Sequence, residues 1–208
     1  HGSDAVRYWA ASGRPGTDTA FDEQQMKVGR RLAIKLLNAS KFALGFGAVD
    51  ADTPVTEALD RAMLATLADL VDDATRAFDG FDYARALERT ESFFWQFCDD
   101  YVELVKSRAY GEADAPASAA TASARAALQV ALSTLHRLLA PFLPFTCEEA
   151  WSWWMEGSVH LAAWPDAAAI RAVAGDGDPA ALAVAGAVLG ELRGAKSAAK
   201  VGMKATIE

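Results

Sequence analysis

The stretch DEQQMKVGRRLAIKLLNASKFALGFG, residues 22–47, decides how the chain folds. Asp22 stands where a helix N-cap belongs, with Gln25 three residues on as a capping-box partner, and Gly45 and Gly47 stop the pattern. On a wheel of about 100° per residue with Lys35 at zero, Arg31 lies at about −40°, Asn38 at about −60°, Lys27 at about −80°, Lys41 at about −120° and Arg30 at about −140°. Phe42, at about −20°, edges that stripe. Met26, Leu32, Ala33, Leu36, Leu37, Ala39, Ala43 and Leu44 take the opposite arc. Ser40 falls among them, and its hydroxyl can bond back to the Leu36 carbonyl. The spacing predicts one long amphipathic helix, apolar on one side for a core and basic on the other.

The neighbouring sequence repeats the theme. Upstream, Asp4–Ser12 reads as a short helix ended by Gly13 and Pro15. Downstream, Thr53 and Pro54 supply an N-cap and a first helical residue, and Leu59, Met63, Leu67, Leu70 and Val71 follow at helical spacing. FDGFD (78–82) closes that helix, and Asp82 caps the next, whose apolar side takes Leu87, Phe94, Phe97, Tyr101, Leu104 and Val105. GEADAPASAATASA (111–124) reads as a loose connector that turns helical toward its end. A fourth long helix is expected over about 119–139, with Leu128, Leu132, Leu135, Leu138 and Leu139 inward. Pro141 and Pro144 break it, and Thr146 with Glu149 makes a capping box for a short helix ending in WSWWM. SVHLAAWP (158–165) looks extended, and 166–178 reads as a linker rich in Gly and Asp. Asp178-Pro179 opens a last helix to about Leu192. KVGMKATIE (200–208) alternates like a strand, which cannot stand alone, so both ends of the chain read as those of a piece of a larger protein. The expected fold is an all-α helix bundle with a short extended segment near the C-terminal end.

Composition agrees with a globular helical protein: 208 residues, 52% apolar and 23% charged. No run of about 18 apolar residues marks a membrane span, and the start lacks a signal-peptide layout. Cys98 and Cys147 are far apart and the histidines (His1, His136, His160) isolated, so no metal set is expected, and a reduced, cytoplasmic protein is. The net charge of −8 argues against a nucleic-acid partner, but its distribution does not. Residues 1–47 hold seven basic and four acidic side chains, and 190–208 four and two. An acidic protein can carry a local basic surface that meets a polyanion.

Two readings of the 22–47 stripe stand side by side. A solvated helix face usually mixes signs, because i,i+4 ion pairs stabilise it, yet this one has no acid after Glu23. Lys and Arg suit phosphates, Asn can bond a base edge, and an aromatic ring can stack on an unpaired base. The alternative is a plain basic face with a half-buried Phe42. Other polar residues read as structural. Glu149 serves as a capping partner, Tyr101, Glu103 and Lys106 as a packing and charge network, WSWWM as packing, and His136 as a structural histidine.

A resemblance favours the first reading. DAVRYWAAS (4–12), GTDTAFD (16–22) and KLLNASKF (35–42) resemble, in order, the segment that follows the catalytic domain in valyl-tRNA synthetases. FCDDYVELVKSR (97–108) is similar to that family's Tyr-x-Glu-x-x-Lys helix, and LLAPFLPFTCEEAW (138–151) to its Pro-Phe-x-Pro-Phe-x-x-Glu-Glu-x-Trp corner. The matches cover about 1–165 and are shared with isoleucyl and leucyl enzymes. Asn38-Ala39 looks valyl, whereas SVHLA also looks isoleucyl.

The resemblance implies a class I synthetase anticodon-binding helix bundle over 22–165. It makes 1–21 the end of the region after the catalytic domain, 166–178 a linker and 179–208 the start of a further C-terminal region. It implies an anticodon surface of Arg31, Lys35, Asn38, Lys41 and Phe42, with Lys27, Arg193, Lys196 and Lys200 toward the RNA backbone. Lys41 stands where the family often has arginine, which puts a bidentate contact there in doubt. The implied partners are a valine tRNA, through its anticodon loop, and the catalytic domain of the same chain; no membrane is expected. The family's two nucleotide-binding signatures are absent, so this stretch is expected to be non-catalytic, without a cofactor or metal of its own, while the parent valine–tRNA ligase uses ATP. The equivalent part of an isoleucyl enzyme, and a protein-binding bundle with Ile34 as a contact, are the alternatives.

Overall fold

The computed structural model describes residues 1–111, 117–202 and 205. Its α-helices are α1 (Ser3–Ser12), α2 (Glu23–Leu44), α3 (Ala58–Asp79), α4 (Tyr83–Gln96), α5 (Val102–Tyr110), α6 (Ala119–Leu139), α7 (Pro144–Ser152), α8 (Ala167–Ala174) and α9 (Pro179–Ala198). A π-turn, Phe97–Tyr101, joins α4 to α5, and no strand forms among the described residues. Helix α6 runs through the middle, touching α2, α3, α4, α5 and α7. Its Leu128, Leu132, Leu135, Leu138 and Leu139 are all buried, as the leucine spacing predicts. Leu32 and Leu36 of α2 meet this core, as do Met63, Leu64 and Leu67 of α3. Gly29 sits inside α2 because α1 lies on it: a Cβ there would stand 2.6 Å from the Tyr8 Cβ.

Local signals set several ends as expected. The Asp22, Asp82 and Asp178 carboxylates accept N–H groups of Gln24, Arg85 and Ala180. These bonds satisfy donors that a helix start leaves orphaned.

Elsewhere tertiary contacts override local signals. Helix α3 starts at Ala58, not at Pro54. The Ser123 hydroxyl of α6 accepts the N–H groups of Thr56 and Glu57 at 3.0 and 3.1 Å, holding residues 53–57 outside the helix while Val55 is buried. Ser123 in turn donates to Asp60, at 2.6 Å. Asp60 is wholly buried and also accepts the Tyr101 hydroxyl at 2.8 Å and both Arg108 terminal nitrogens at 2.7 and 2.8 Å. These bonds satisfy the lone pairs of a carboxylate that would otherwise be costly to bury. The expected Tyr101–Glu103–Lys106 network thus splits: Tyr101 joins Asp60, while Lys106 pairs with Glu103 on the surface.

The π-turn accounts for a second difference. Such a turn inserts one residue, so everything after it lags by about 100° on the wheel. Leu104, expected inward, is exposed, whereas Val105 and Ala109 are buried.

The C-terminal third needs four corrections. Helix α7 begins at Pro144 and is capped by Asp4 rather than by a Thr146–Glu149 box. Glu149 instead accepts the Trp153 indole N–H, and Glu148 accepts the Ser158 hydroxyl and the Val159 N–H. The stretch expected to be extended, 158–165, contains a 3-10 turn at Val159–Leu161, pinned by those Glu148 bonds. Within 166–178, Ala167–Ala174 form α8. Its Ala167, Ile170 and Ala174 are buried, and it packs on α3, because the apolar side of an Ala-rich segment finds a groove there. Helix α9 runs on past Leu192 to Ala198. Residues 112–116 of the expected connector, and Met203, Lys204 and Thr206–Glu208 of the strand-like alternation, lie outside the described residues.

Among the described residues no single helix is long and apolar enough to cross a membrane. Helices α8 and α9 together have the length and composition, but they bend by 76° at their break.

Candidate nucleic-acid interface

Helix α2 buries its apolar arc, Met26, Leu32, Leu36 and Ala43, and leaves the opposite arc open. Ser40 behaves as its sequence context predicts, donating to the Leu36 carbonyl at 2.8 Å. It also contacts the buried His136 Nε2 at 2.8 Å. Because the hydroxyl proton goes to Leu36, Nε2 carries the hydrogen that Ser40 accepts, and Nδ1 is an acceptor with no partner among the described residues. Burial pushes the His136 pKa down to about 4.

On the open arc Lys27, Arg30, Arg31, Asn38 and Lys41 are exposed. Lys27, Arg30, Arg31 and Asn38 make no hydrogen bond or ion pair with any described residue. Lys35 differs, because its ammonium is 2.9 Å from Asp99 of the π-turn and 5.8 Å from the centre of the Trp95 ring. Burial is the largest single influence and disfavours the Lys35 charge, but the bond to Asp99 and the nearby negative groups, Asp99 and Glu103 among them, together outweigh it and the pKa stands above the usual lysine value. Helix α4 and its π-turn thus supply the counter-charge that α2 itself lacks.

Arg193 of α9 is tied to the same turn. It donates to the Asp99 carbonyl at 2.7 Å and lies 3.6 Å from the Asp100 carboxylate. Lys200 is exposed just past the end of α9.

Two aromatic groups flank α2 near its C-terminal end. Phe42 is half-buried, with Phe46 at 5.1 Å and Tyr110 at 6.1 Å, both edge-on. Tyr110, the last residue of α5, is 63% exposed. On the other side Lys41 holds its ammonium 5.7 Å from the centre of the Trp153 ring, just past α7. Trp151 of the same WSWWM run is buried as packing, whereas Trp153 is exposed. Sequence reasoning brought Arg31, Lys35, Asn38, Lys41 and Phe42 to one helix face, and they share it. It missed Tyr110, Trp153 and Asp99, which reach that face from distant parts of the chain with no periodic signal linking them to α2, and Phe46, which follows α2 directly, four residues after Phe42.

The face is a surface rather than a cleft. Concavities of about 450 and 410 Å³ lie along α6 by Val130 and Val173, and one of about 270 Å³ lies between α1 and α4 by Tyr8. None of these three is lined by Arg31, Asn38, Lys41 or Phe42. An open basic face with exposed rings suits an extended polyanion better than a small molecule, which favours an enclosing pocket.

Residues 60–208 match the family described as the anticodon-binding domain of tRNA ligase. The chain belongs to that family. Relatives extend the likeness over the whole chain. It is 64% identical to a valine–tRNA ligase of Thermobifida fusca and 60% identical to one of Leifsonia xyli, each across all of this chain and 24% of the relative. A Cutibacterium acnes valine–tRNA ligase is 53% identical over 99% of the chain and 23% of its own length. The chain thus spans about a quarter of the length of these relatives and corresponds to their anticodon-binding region. The family match to the anticodon-binding domain starts at Asp60, the buried carboxylate of α3, and runs through α9, while the relatives also cover α1 and α2.

Proposed function

We propose that this chain reads the anticodon loop of a valine tRNA, as the anticodon-binding part of a valine–tRNA ligase whose catalytic domain, elsewhere in the same protein, uses ATP in the cytoplasm. In this reading 22–165 form the RNA-binding unit, 1–21 join it to the catalytic domain, and 166–178 lead into a further region from 179 on. The observation that carries the proposal is the open face of α2. Arg31 and Asn38 are exposed there with no side-chain hydrogen bond or ion pair to a described residue, and an exposed tyrosine and an exposed tryptophan flank the C-terminal end of the same helix. Asn38 is suited to a base edge and Arg31 to phosphate. Lys41 and Phe42 lie beside Asn38, and Lys35 can exchange Asp99 for an RNA group. Lys27 extends the positive face toward the start of α2, and Lys196 and Lys200, with Arg193, would meet the tRNA backbone.

The test is a titration of the 208-residue chain with anticodon stem–loop hairpins of valine and isoleucine tRNAs. Valine hairpins should bind tighter, affinity should fall steeply with salt, and Phe42→Ala should weaken the hairpin more than a plain duplex. Indifference to anticodon changes sinks the reading role, and a preference for the isoleucine hairpin moves the chain to the isoleucyl enzymes. Ile34, 48% exposed within the basic stripe, favours a second reading as a protein contact. A stable protein complex, with no RNA retained at low salt, would support it.

A further inference from the structure

We infer that Tyr110 is a stacking platform for one unpaired base of the bound RNA loop, set in place by Arg125. This rests on the anticodon-loop reading above and adds a subsite that the α2 stripe does not contain. Phe42 is half-buried, and Phe46 and Tyr110 meet it edge-on at 87° and 77°. Tyr110 is the most exposed member of this trio. Its ring centre lies 5.3 Å from that of Phe46, and its hydroxyl has no partner among the described residues. A ring packed along its edge, with surface left exposed, can accept a base without rearranging the core.

The ring is also held. Arg125 of α6 donates from Nε to the Ala109 carbonyl at 2.9 Å and from Nη2 to the Tyr110 carbonyl at 3.2 Å. These bonds satisfy carbonyls that the end of α5 would leave open. The same guanidinium lies 5.2 Å from the centre of the Phe46 ring and has no carboxylate partner among the described residues. One residue therefore fixes the tyrosine backbone, caps the helix and leaves a positive charge over Phe46, the ring that packs against Tyr110. That pairing of cation and ring suits a nucleotide, whose base stacks while its phosphate meets the charge. Across α2, Lys41 over Trp153 makes a second pair of the same kind.

The experiment combines Tyr110→Ala and Tyr110→Phe with abasic substitutions at each position of the valine stem–loop hairpin. Tyr110→Ala should weaken the intact hairpin by about tenfold, within the range of losing one stacked base, and Tyr110→Phe by less than about twofold. One abasic position should cost the wild-type chain a similar factor and the Tyr110→Ala chain almost nothing, since both remove the same contact. Arg125→Gln should reduce the salt slope of hairpin binding by roughly 0.7 to 0.9, the loss of one phosphate contact. Unchanged melting of the Tyr110→Ala chain, expected for a ring this exposed, shows that any loss is one of binding. If Tyr110→Ala binds as wild type, or its loss adds to that of every abasic position, the platform is wrong while the anticodon reading stands. If the wild-type chain does not bind the hairpin, both fail.

Discussion

The Asp4 carboxylate, on the first turn of α1, accepts the N–H groups of Phe145 and Thr146 at 3.2 and 2.7 Å, and so caps a helix 141 residues away. The Thr146 hydroxyl donates to the same carboxylate. Asp4 is almost fully buried, so no water can replace it without rearrangement. The bond ties the N-terminal helix to the Pro-Phe corner and fixes α1 over Gly29.

Asp4→Ala should therefore destabilise the chain by about 1 to 3 kcal/mol, the cost of a lost cap plus the buried donors it leaves. Thermal melting should fall by several degrees, since each kcal/mol moves a domain of this size by about 2–4 °C. A melting temperature unchanged by Asp4→Ala would show that α7 is capped adequately by other means.

His136 should make stability depend on pH. Its folded pKa is lowered to about 4 by burial, against about 6.5 when unfolded. Between these values the unfolded chain binds the extra proton, so stability falls as pH drops from about 6.5 to about 4 and then levels off. The full loss is on the order of 3 kcal/mol. Urea melts at pH 7, 5.5 and 4.5 should show this decline, and His136→Gln should flatten it. A slope equal in the two proteins would assign it to other groups.

Asp99→Asn should strengthen RNA binding. It removes the charge that neutralises Lys35 and leaves the backbone carbonyl bound by Arg193 in place. Affinity of the valine stem–loop at low salt should rise several-fold, and the log–log salt slope should steepen by roughly 0.7 to 0.9, as for one more phosphate contact. Binding unchanged or weakened would mean that Lys35 stays with Asp99 in the complex.

The candidate site divides along the same line as the fold. Arg31, Lys35, Asn38, Lys41 and Phe42 were legible because one helix carries them, and a period of 3.6 assigns each residue an azimuth before any folding is known. Tyr110 and Trp153 were not, because their distance to α2 depends on how α5 and α7 cross it. Asp99 was not legible as a partner of Lys35 for the same reason. A π-turn compounds the difficulty: it leaves no periodic mark, yet it turns Leu104 out to solvent.

By itself the sequence determined the long helices, the Asp22, Asp82 and Asp178 caps and the two faces of α2, since short-range hydrogen bonding and the spacing of apolar residues act within about one turn. Tertiary structure alone decided where α3 begins, what caps α7, that α8 forms within 166–178, and which charges of the basic stripe are left unpaired. Those outcomes rest on Ser123, Asp4, the α3 groove and Asp99, groups that meet their partners only after the chain has packed. A buried donor takes whichever acceptor the fold brings within about 3 Å, and no local pattern encodes that choice.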